Sequence, residues 1–145
     1  MPRKKSRRYP KDPFRSLFEE QVGDWLDDHG VNYDYESIQL EYEEPLRRNR
    51  ARCADCGSTN LRRVGWYTPD FVLSTGYIIE TKGRFTAADR RKMKAVIETH
   101  PDERIVMLFM RDNKIHKNSK SYYSDWCMEN NIDFAIKEPK KEWIK

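Results

Sequence analysis

The sequence contains no long hydrophobic run. Charged residues make up 36% of the chain and hydrophobic residues 37%, and no segment stays apolar over the roughly 20 residues that a transmembrane helix needs. The opening residues, Met-Pro-Arg-Lys-Lys-Ser-Arg-Arg, also lack the apolar segment of a secretory signal peptide. We therefore expect a cytoplasmic protein that has no membrane partner.

Cysteine is scarce as well, with three cysteines among 145 residues. This small, odd number argues against a disulfide framework and leaves free thiols or a metal site as the alternatives. Aromatic residues, at 12%, are too frequent for a chain that is disordered throughout. The length is that of one domain, and we find no internal repeat. The net charge of +4 is modest, so its distribution is more informative than its size.

The strongest pattern lies between residues 67 and 83, which read Tyr-Thr-Pro-Asp-Phe-Val-Leu-Ser-Thr-Gly-Tyr-Ile-Ile-Glu-Thr-Lys-Gly. Two short apolar runs, residues 71–73 and 77–79, flank a Ser-Thr-Gly turn. This composition predicts a β-hairpin with a three-residue loop. In that register, Phe71 lies opposite Ile79, and Asp70 lies directly opposite Glu80.

Two opposed carboxylates need a neutralising partner, because like charges at directly paired strand positions are destabilising. A divalent cation such as Mg²⁺ supplies one, since it binds carboxylate oxygens. Lys82 shares a strand face with Glu80, because side chains alternate with period 2. A surface hairpin with a weak Glu80 to Lys82 ion pair is the alternative. The combined spacing of Pro69-Asp70 and Glu80-Thr81-Lys82 favours a site and resembles the PD-(D/E)xK nuclease motif.

Residues 1–12 are predicted to form a flexible basic arm. Its charged residues are Arg3, Lys4, Lys5, Arg7 and Arg8. Blocks of like charge are often only solvated, but next to a nuclease motif we favour phosphate binding.

The first helix is predicted to begin after an N-cap at Asp12, with Pro13 as its first residue, and to end before Gly30. At about 100° per residue, Glu19 falls on the border of the apolar face. Glu20 falls outside that face, so we expect Glu20 to be solvated.

Residues 31–42 alternate between apolar and polar side chains, which predicts two strands or one bent strand. Residues 43–66 differ, because they are rich in arginine and carry a Cys53-x2-Cys56 step. We predict an extended connector with a zinc knuckle there. A structural zinc ion needs four ligands, however, and this chain has no second cysteine pair. Two reduced surface thiols are the alternative.

The second half of the chain alternates helix and strand. Thr86 and Asp89 form a capping-box pattern that opens a second helix, whose basic face is either solvated or in contact with phosphates. A continuous apolar run over residues 104–110 predicts a central strand, followed by a helix over residues 121–131 and a last strand over residues 132–136. Cys127 is expected in the core. The fold class is therefore α/β, with a mixed sheet flanked by helices.

The resemblance extends beyond the PD-(D/E)xK motif, because several other segments of the chain resemble those of one nuclease family and follow in the same order. They are Phe14-Arg15-Ser16 with Glu19, Tyr67-Thr68-Pro69-Asp70-Phe71, Glu80-Thr81-Lys82-Gly83, Asp89-Arg90-Arg91-Lys92 and Glu142-Trp143-Ile144-Lys145. Together they resemble the bacteriophage endonuclease I family of Holliday-junction resolvases. The resemblance implies a restriction-endonuclease-like fold in one nuclease domain, residues 13–145. It also implies a dimer that exchanges elements and cleaves branched DNA with Mg²⁺ or Mn²⁺. The connector between Tyr42 and Tyr67 is longer than we expect for the family.

By position, the resemblance carries the family's catalytic set over to Glu19, Asp70, Glu80 and Lys82. Asp70, Glu80 and the Thr81 carbonyl are expected to hold one cation, and Glu19 to help hold a second. Lys82 is expected to orient the attacking water. The residues that we expect to bind DNA are Arg3, Lys4, Lys5, Arg7, Arg8, Arg15, Arg47, Arg48, Arg50, Arg90, Arg91 and Lys92.

Two other functions use the same residues. One is a related nuclease that acts at nicks, mismatches or specific sequences. The other is a non-catalytic, zinc-stabilised module that binds nucleic acid. The Asp70 and Glu80 pair argues against the second, because a pure binder gains nothing from carboxylates placed near phosphate.

Overall fold

Three helices, seven strands and a short 3₁₀ turn follow one another in the computed structural model, which describes residues 9–45, 56 and 61–145. The helices are α1 (Leu17–Asp28), α2 (Ala87–Thr99) and α3 (Tyr123–Glu129), and the turn is Lys141–Trp143. The strands are β1 (Tyr33–Tyr35), β2 (Leu40–Pro45), β3 (Arg62–Tyr67), β4 (Phe71–Leu73), β5 (Tyr77–Lys82), β6 (Arg104–Phe109) and β7 (Phe134–Ile136). Within the described part of the chain, no helix is both long and apolar enough to span a membrane.

Five of these strands form a mixed sheet in the order β1-β4-β5-β6-β7. The first three pair antiparallel, while β5, β6 and β7 run parallel. Strands β2 and β3 form a separate antiparallel ribbon. The predicted α/β fold with a mixed sheet is therefore confirmed.

Hydrophobic cores cover both faces of the sheet, because successive strand side chains point to opposite sides. On one side, Val22 and Leu26 of α1 pack with Ile79 of β5 and with the fully buried Trp143. On the other side, α2, α3 and the ribbon pack over a core that includes Ile78 of β5. The strand β5 is thus buried on both faces, and polar side chains near its end are held in a rigid setting.

The predicted hairpin has the expected register, with Phe71 opposite Ile79 and Val72 opposite Ile78. Its turn contains Gly76 at a φ of 95°, a conformation that favours glycine. The capping box between Thr86 and Asp89 also forms at the start of α2 as predicted.

The start of α1 differs from the prediction. The N-cap is Ser16, whose side chain accepts a hydrogen bond from the Glu19 N–H, and the helix begins at Leu17. Both Asp12 and Ser16 are good N-cap residues, and the sequence pattern favoured the wrong one because Pro13 follows Asp12. The helix is therefore one turn shorter than expected.

The two ends of the predicted connector are also strands rather than irregular chain. Pro45 pairs with Arg62, and Glu44 pairs with Arg63. Ion pairs link Arg62 to Glu43 and Arg63 to Glu44, so the opposite charges of the two strands favour cross-strand pairing. Most of the residues between these strands, 46–55 and 57–60, lie outside the described part of the chain.

Candidate active site

Asp70 lies at the mouth of the hairpin, one residue before β4, and only 8% of it is exposed. Its Oδ2 accepts two hydrogen bonds from Thr81, one from the backbone N–H at 2.9 Å and one from the hydroxyl at 2.7 Å. Burial raises the pKa of Asp70 to about 8, and the nearby Glu80 charge adds to this effect. Asp70 is thus a carboxyl group that is costly to ionise without a cation.

Glu80 lies on β5 and is 6% exposed. Its Oε2 accepts a 2.6 Å hydrogen bond from the Tyr67 hydroxyl, and its Oε1 lies 3.4 Å from Lys82 Nζ. Burial raises the pKa of Glu80, although Lys82 and Tyr67 oppose the shift. Both oxygens of Glu80 are therefore fixed in place.

Lys82 connects the hairpin to α2. Its Nζ lies 3.5 Å from Asp89 Oδ1 as well as near Glu80. Burial alone would lower the pKa of Lys82, but the charges of Glu80 and Asp89 outweigh it and raise the pKa. Asp89 is itself held by the N–H and hydroxyl of Thr86. Lys82 is therefore a charged group in a defined position, beside a small polar cleft of about 80 Å³.

A second acidic group meets Asp70 from the side of α1. Glu19, Glu36 and Asp70 each place a carboxylate oxygen within 4.8 Å of the others. Glu19 is 8% exposed, and its Oε2 has no hydrogen-bond partner among the residues that the structure describes. An unpartnered buried oxygen is costly. A hard cation would satisfy it, because such ions bind carboxylate oxygens.

The acidic residues thus fit divalent cations, and the structure brings all four sequence-predicted catalytic residues to one end of the hairpin. Their grouping differs from the simple pairing expected from the strand register. The Asp70 carboxylate accepts hydrogen bonds from Thr81 and lies near Glu19. Glu80 accepts a hydrogen bond from Tyr67 and forms an ion pair with Lys82. The two groups still interact electrostatically, because the negative charge of Glu80 raises the pKa of Asp70.

Glu20 is not solvated as predicted, because it is only 5% exposed. Its Oε2 accepts a 3.1 Å hydrogen bond from the Lys11 N–H. The residues before α1 fold back over the first turn of the helix and cover this side chain. Helical periodicity alone could not show that the preceding segment covers Glu20.

The predicted DNA-binding residues occupy different settings. Arg15 is exposed, and its Nε lies 3.0 Å from Glu36 Oε1. Arg90 donates to the Phe85 carbonyl at 2.7 Å, whereas Arg91 is exposed. Lys92 lies on the α2 side of the cleft that contains Glu80. The remaining members of the predicted set lie outside the described residues, namely Arg3, Lys4, Lys5, Arg7, Arg8, Arg47, Arg48 and Arg50.

The predicted zinc site also lies largely outside the residues that the structure describes. Cys53 is not described, whereas Cys56 is an exposed free thiol. The core position expected for Cys127 is confirmed, since it is fully buried.

Comparison with known proteins places the chain among relatives. Residues 58–145 match the family described as phage endonuclease I. The chain belongs to the phage endonuclease I family. It is 36% identical over 138 residues to the endodeoxyribonuclease 1 of Enterobacteria phage T3, covering 89% of this chain and 80% of that protein. It is 32% identical over 133 residues to the endonuclease I of Escherichia phage T7, covering 91% of this chain and 78% of that protein. Family membership, inferred above from short motifs, is confirmed.

Three residues of the site were not predicted to take part in it. Tyr67 lies two residues before the Pro69-Asp70 step, and its contact with Glu80 requires the ribbon to pack on the sheet. Asp89 was identified only as part of a helix cap. Glu36 follows β1 and reaches Asp70 only because β1 pairs with β4. None of these contacts has a local sequence signal.

Proposed function

We propose that this endonuclease I family member is a metal-dependent endodeoxyribonuclease that resolves four-way junctions and other branched DNA. The observation that carries the proposal is the buried carboxylate of Glu19, whose Oε2 has no partner among the described residues and which belongs to one acidic cluster with Asp70. The names of the relatives from phages T3 and T7 support the endonuclease activity. No covalent intermediate is required, because a water molecule can serve as the nucleophile.

Each residue has a role that follows from its setting. Asp70 and Glu80, with the Thr81 carbonyl, would hold one divalent cation, and Glu19 would help to hold a second. Bound cations would offset the negative charge on the attacking and leaving oxygens of the phosphodiester. Mg²⁺ suits this oxygen-rich set, and Mn²⁺ has the same ligand preference.

Lys82 would orient the attacking water and offset the charge that develops on the phosphoryl oxygens. Its position supports this role, because Glu80 and Asp89 lie 3.4 Å and 3.5 Å from its Nζ and hold the ammonium group charged. Tyr67 would act as a positioning residue, since its hydroxyl fixes one oxygen of Glu80.

The proposed substrate also suggests an oligomeric state. A four-way junction presents two strands for cleavage, so two active sites related by two-fold symmetry suit it, and most homo-oligomers are such dimers. We therefore include a homodimer in the proposal, with action in the cytoplasm of the host cell. DNA would contact the basic arm, the arginine-rich connector and the exposed positive residues of α2.

The test is a cleavage assay with a panel of labelled DNAs. Purified protein is incubated with Mg²⁺ and with four-way junction, flap, mismatch and linear duplex substrates of equal length. The proposal predicts that the junction is cut fastest and that a chelator stops all cutting. Equal rates on the junction and the linear duplex would contradict the structural selectivity. Cleavage that persists in chelator would contradict the metal dependence.

A further inference from the structure

Glu36 is an acidic residue whose backbone is fixed against Asp70. It follows β1 with a φ of 49°, a conformation that non-glycine residues adopt rarely. Its N–H donates a 3.0 Å hydrogen bond to the Asp70 carbonyl. The Glu36 side chain is therefore directed by the same local structure that positions Asp70.

The carboxylate of Glu36 completes a group of three that converge from separate elements. Glu19 comes from α1, Asp70 from the start of β4, and Glu36 from the end of β1, with oxygens within 4.8 Å of one another. When all three are ionised, carboxylates this close repel one another in a partly buried setting. The Oε2 of Glu19, in a residue that is 8% exposed, has no partner among the described residues, and this independent observation favours a ligand at the group.

Arg15 is the positive group that the structure places against Glu36, with Nε 3.0 Å from Oε1. The Arg15 side chain is 77% exposed, and ion pairs of such exposed residues are weak. A divalent cation would therefore displace Arg15 from Glu36 without a large cost. Arg15 then serves as a counter-charge that competes with the cation.

We propose that Glu36 supplies an additional oxygen ligand for the second divalent cation, so that Glu19, Glu36 and Asp70 form one Mg²⁺ or Mn²⁺ site. This inference rests on the proposed function and adds a residue to it. Glu36 acts by holding the cation, whereas the first site uses Asp70 with Glu80. Occupation of this site would relieve the repulsion within the group.

The main experiment measures cation binding in the absence of DNA. Mn²⁺ is titrated calorimetrically into the wild type, Glu36→Gln and the control Glu41→Gln, which removes the same charge from an exposed position of β2. Loss of even an orienting partner of a metal ligand costs about 10-fold to 100-fold in affinity. We therefore expect Glu36→Gln to bind one of two ions at least about tenfold more weakly, while Glu41→Gln matches the wild type.

A second variant separates cation binding from a merely structural ion pair. Arg15→Gln removes the competing positive charge, so the affinity for Mn²⁺ should rise severalfold. If Glu36 serves only to bind Arg15, Arg15→Gln raises the Mn²⁺ affinity equally in the wild-type and Glu36→Gln backgrounds, which overturns the inference. Thermal unfolding in chelator shows whether each variant is folded, and if Glu36→Gln is not, the same comparison uses Glu36→Asp, which keeps the charge and withdraws the carboxylate by one methylene.

The outcomes distinguish this inference from the proposed function. A wild type that binds Mn²⁺ and cleaves DNA, with Glu36→Gln indistinguishable from Glu41→Gln, overturns the inference and leaves the nuclease intact. A wild type that binds no divalent cation overturns the metal dependence on which both rest.

Discussion

Lys82 lies between Glu80 and Asp89, and this position makes its charge part of the site rather than of the surface. We predict that Lys82→Ala, Asp70→Ala and Glu80→Ala each lower cleavage of a junction by roughly 10²-fold to 10³-fold, as removal of one transition-state contact does. DNA binding should survive, since it depends on the basic residues. Single-turnover cleavage and gel-shift assays measure the two effects separately.

The matched control for Lys82→Ala is Lys94→Ala, which removes a positive charge from the exposed side of α2. It should cut the junction at close to the wild-type rate. Near-wild-type cutting by any of the first three variants would show that the active site has been assigned to the wrong residues.

Asp70 also makes the stability of the metal-free protein depend on pH. Its pKa is raised to about 8, mainly by burial and then by Glu80, whereas an unfolded aspartate titrates near 3.9. Between these values the folded state binds the extra proton. The contribution of Asp70 to the unfolding free energy should therefore be largest below about pH 4 and should decrease as pH rises towards about 8.

Denaturant unfolding in chelator, measured at several pH values, tests this dependence. Asp70→Asn should flatten the decrease, because the amide cannot ionise. Added Mg²⁺ should raise stability most at the alkaline end, where the carboxylate is charged. A difference in unfolding free energy between the chelated wild type and Asp70→Asn that stays constant with pH would contradict the assignment.

The helix α1 and the segment before it form one unit through Glu20. Its carboxylate is buried and accepts a hydrogen bond from the Lys11 backbone. We predict that Glu20→Ala destabilises the protein by about 1–3 kcal/mol, because a partly buried N–H loses its partner. Asp24→Ala, at an exposed position of the same helix, should change stability by less than about 0.5 kcal/mol. Thermal and denaturant unfolding compare the two, and equal effects would contradict the anchoring role.

Elements set by neighbouring residues were predicted well from the sequence. The hairpin register follows from a Ser-Thr-Gly turn between two apolar runs, and the start of α2 follows from the Thr86 and Asp89 pair. These signals are local, so no tertiary knowledge is needed to interpret them. The sheet class followed from the order of helices and strands in the same way.

Elements that depend on distant contacts were predicted less well. The start of α1 was misplaced because two good N-cap residues, Asp12 and Ser16, compete within one turn. The ends of the connector are strands because Glu43 and Glu44 pair with arginines nearly twenty residues away. In the site, Glu36 was missed for the same reason, since only the pairing of β1 with β4 brings it to Asp70.

At the scale of the whole molecule, the contact between Glu19 and Asp70 forms within one chain of the structure. Exchange of α1 and β1 between two chains would rebuild this contact between protomers without changing it. We predict that exchange occurs, as the family resemblance implies. Refolding Glu19→Ala together with Lys82→Ala should then give heterodimers with one intact composite site each, which nick a junction. Inactive mixtures in which heterodimers demonstrably form would show that each site is built within one chain.

Cys53 and Cys56 of the connector give a second prediction about the exchanged dimer. Two exchanged chains would bring two Cys53 and Cys56 pairs together, and four thiolates complete a tetrahedral zinc site. We predict about one zinc per dimer by elemental analysis of protein purified without chelator. Cys56→Ser should remove the zinc, whereas Cys127→Ser should retain it because Cys127 is buried in the core. Zinc-free protein would leave the cysteines as reduced thiols.

The pairing of Pro45 with Arg62 has an evolutionary consequence. It holds the two ends of the intervening segment side by side, whatever the length of chain between them. Loop-closure entropy grows slowly with the length of the closed segment, by only about 0.6 kcal/mol per doubling, so insertions between these two residues cost the fold little. The segment can therefore lengthen and carry new motifs, such as a cysteine pair, while the hairpin that holds Asp70 and Glu80 stays unchanged.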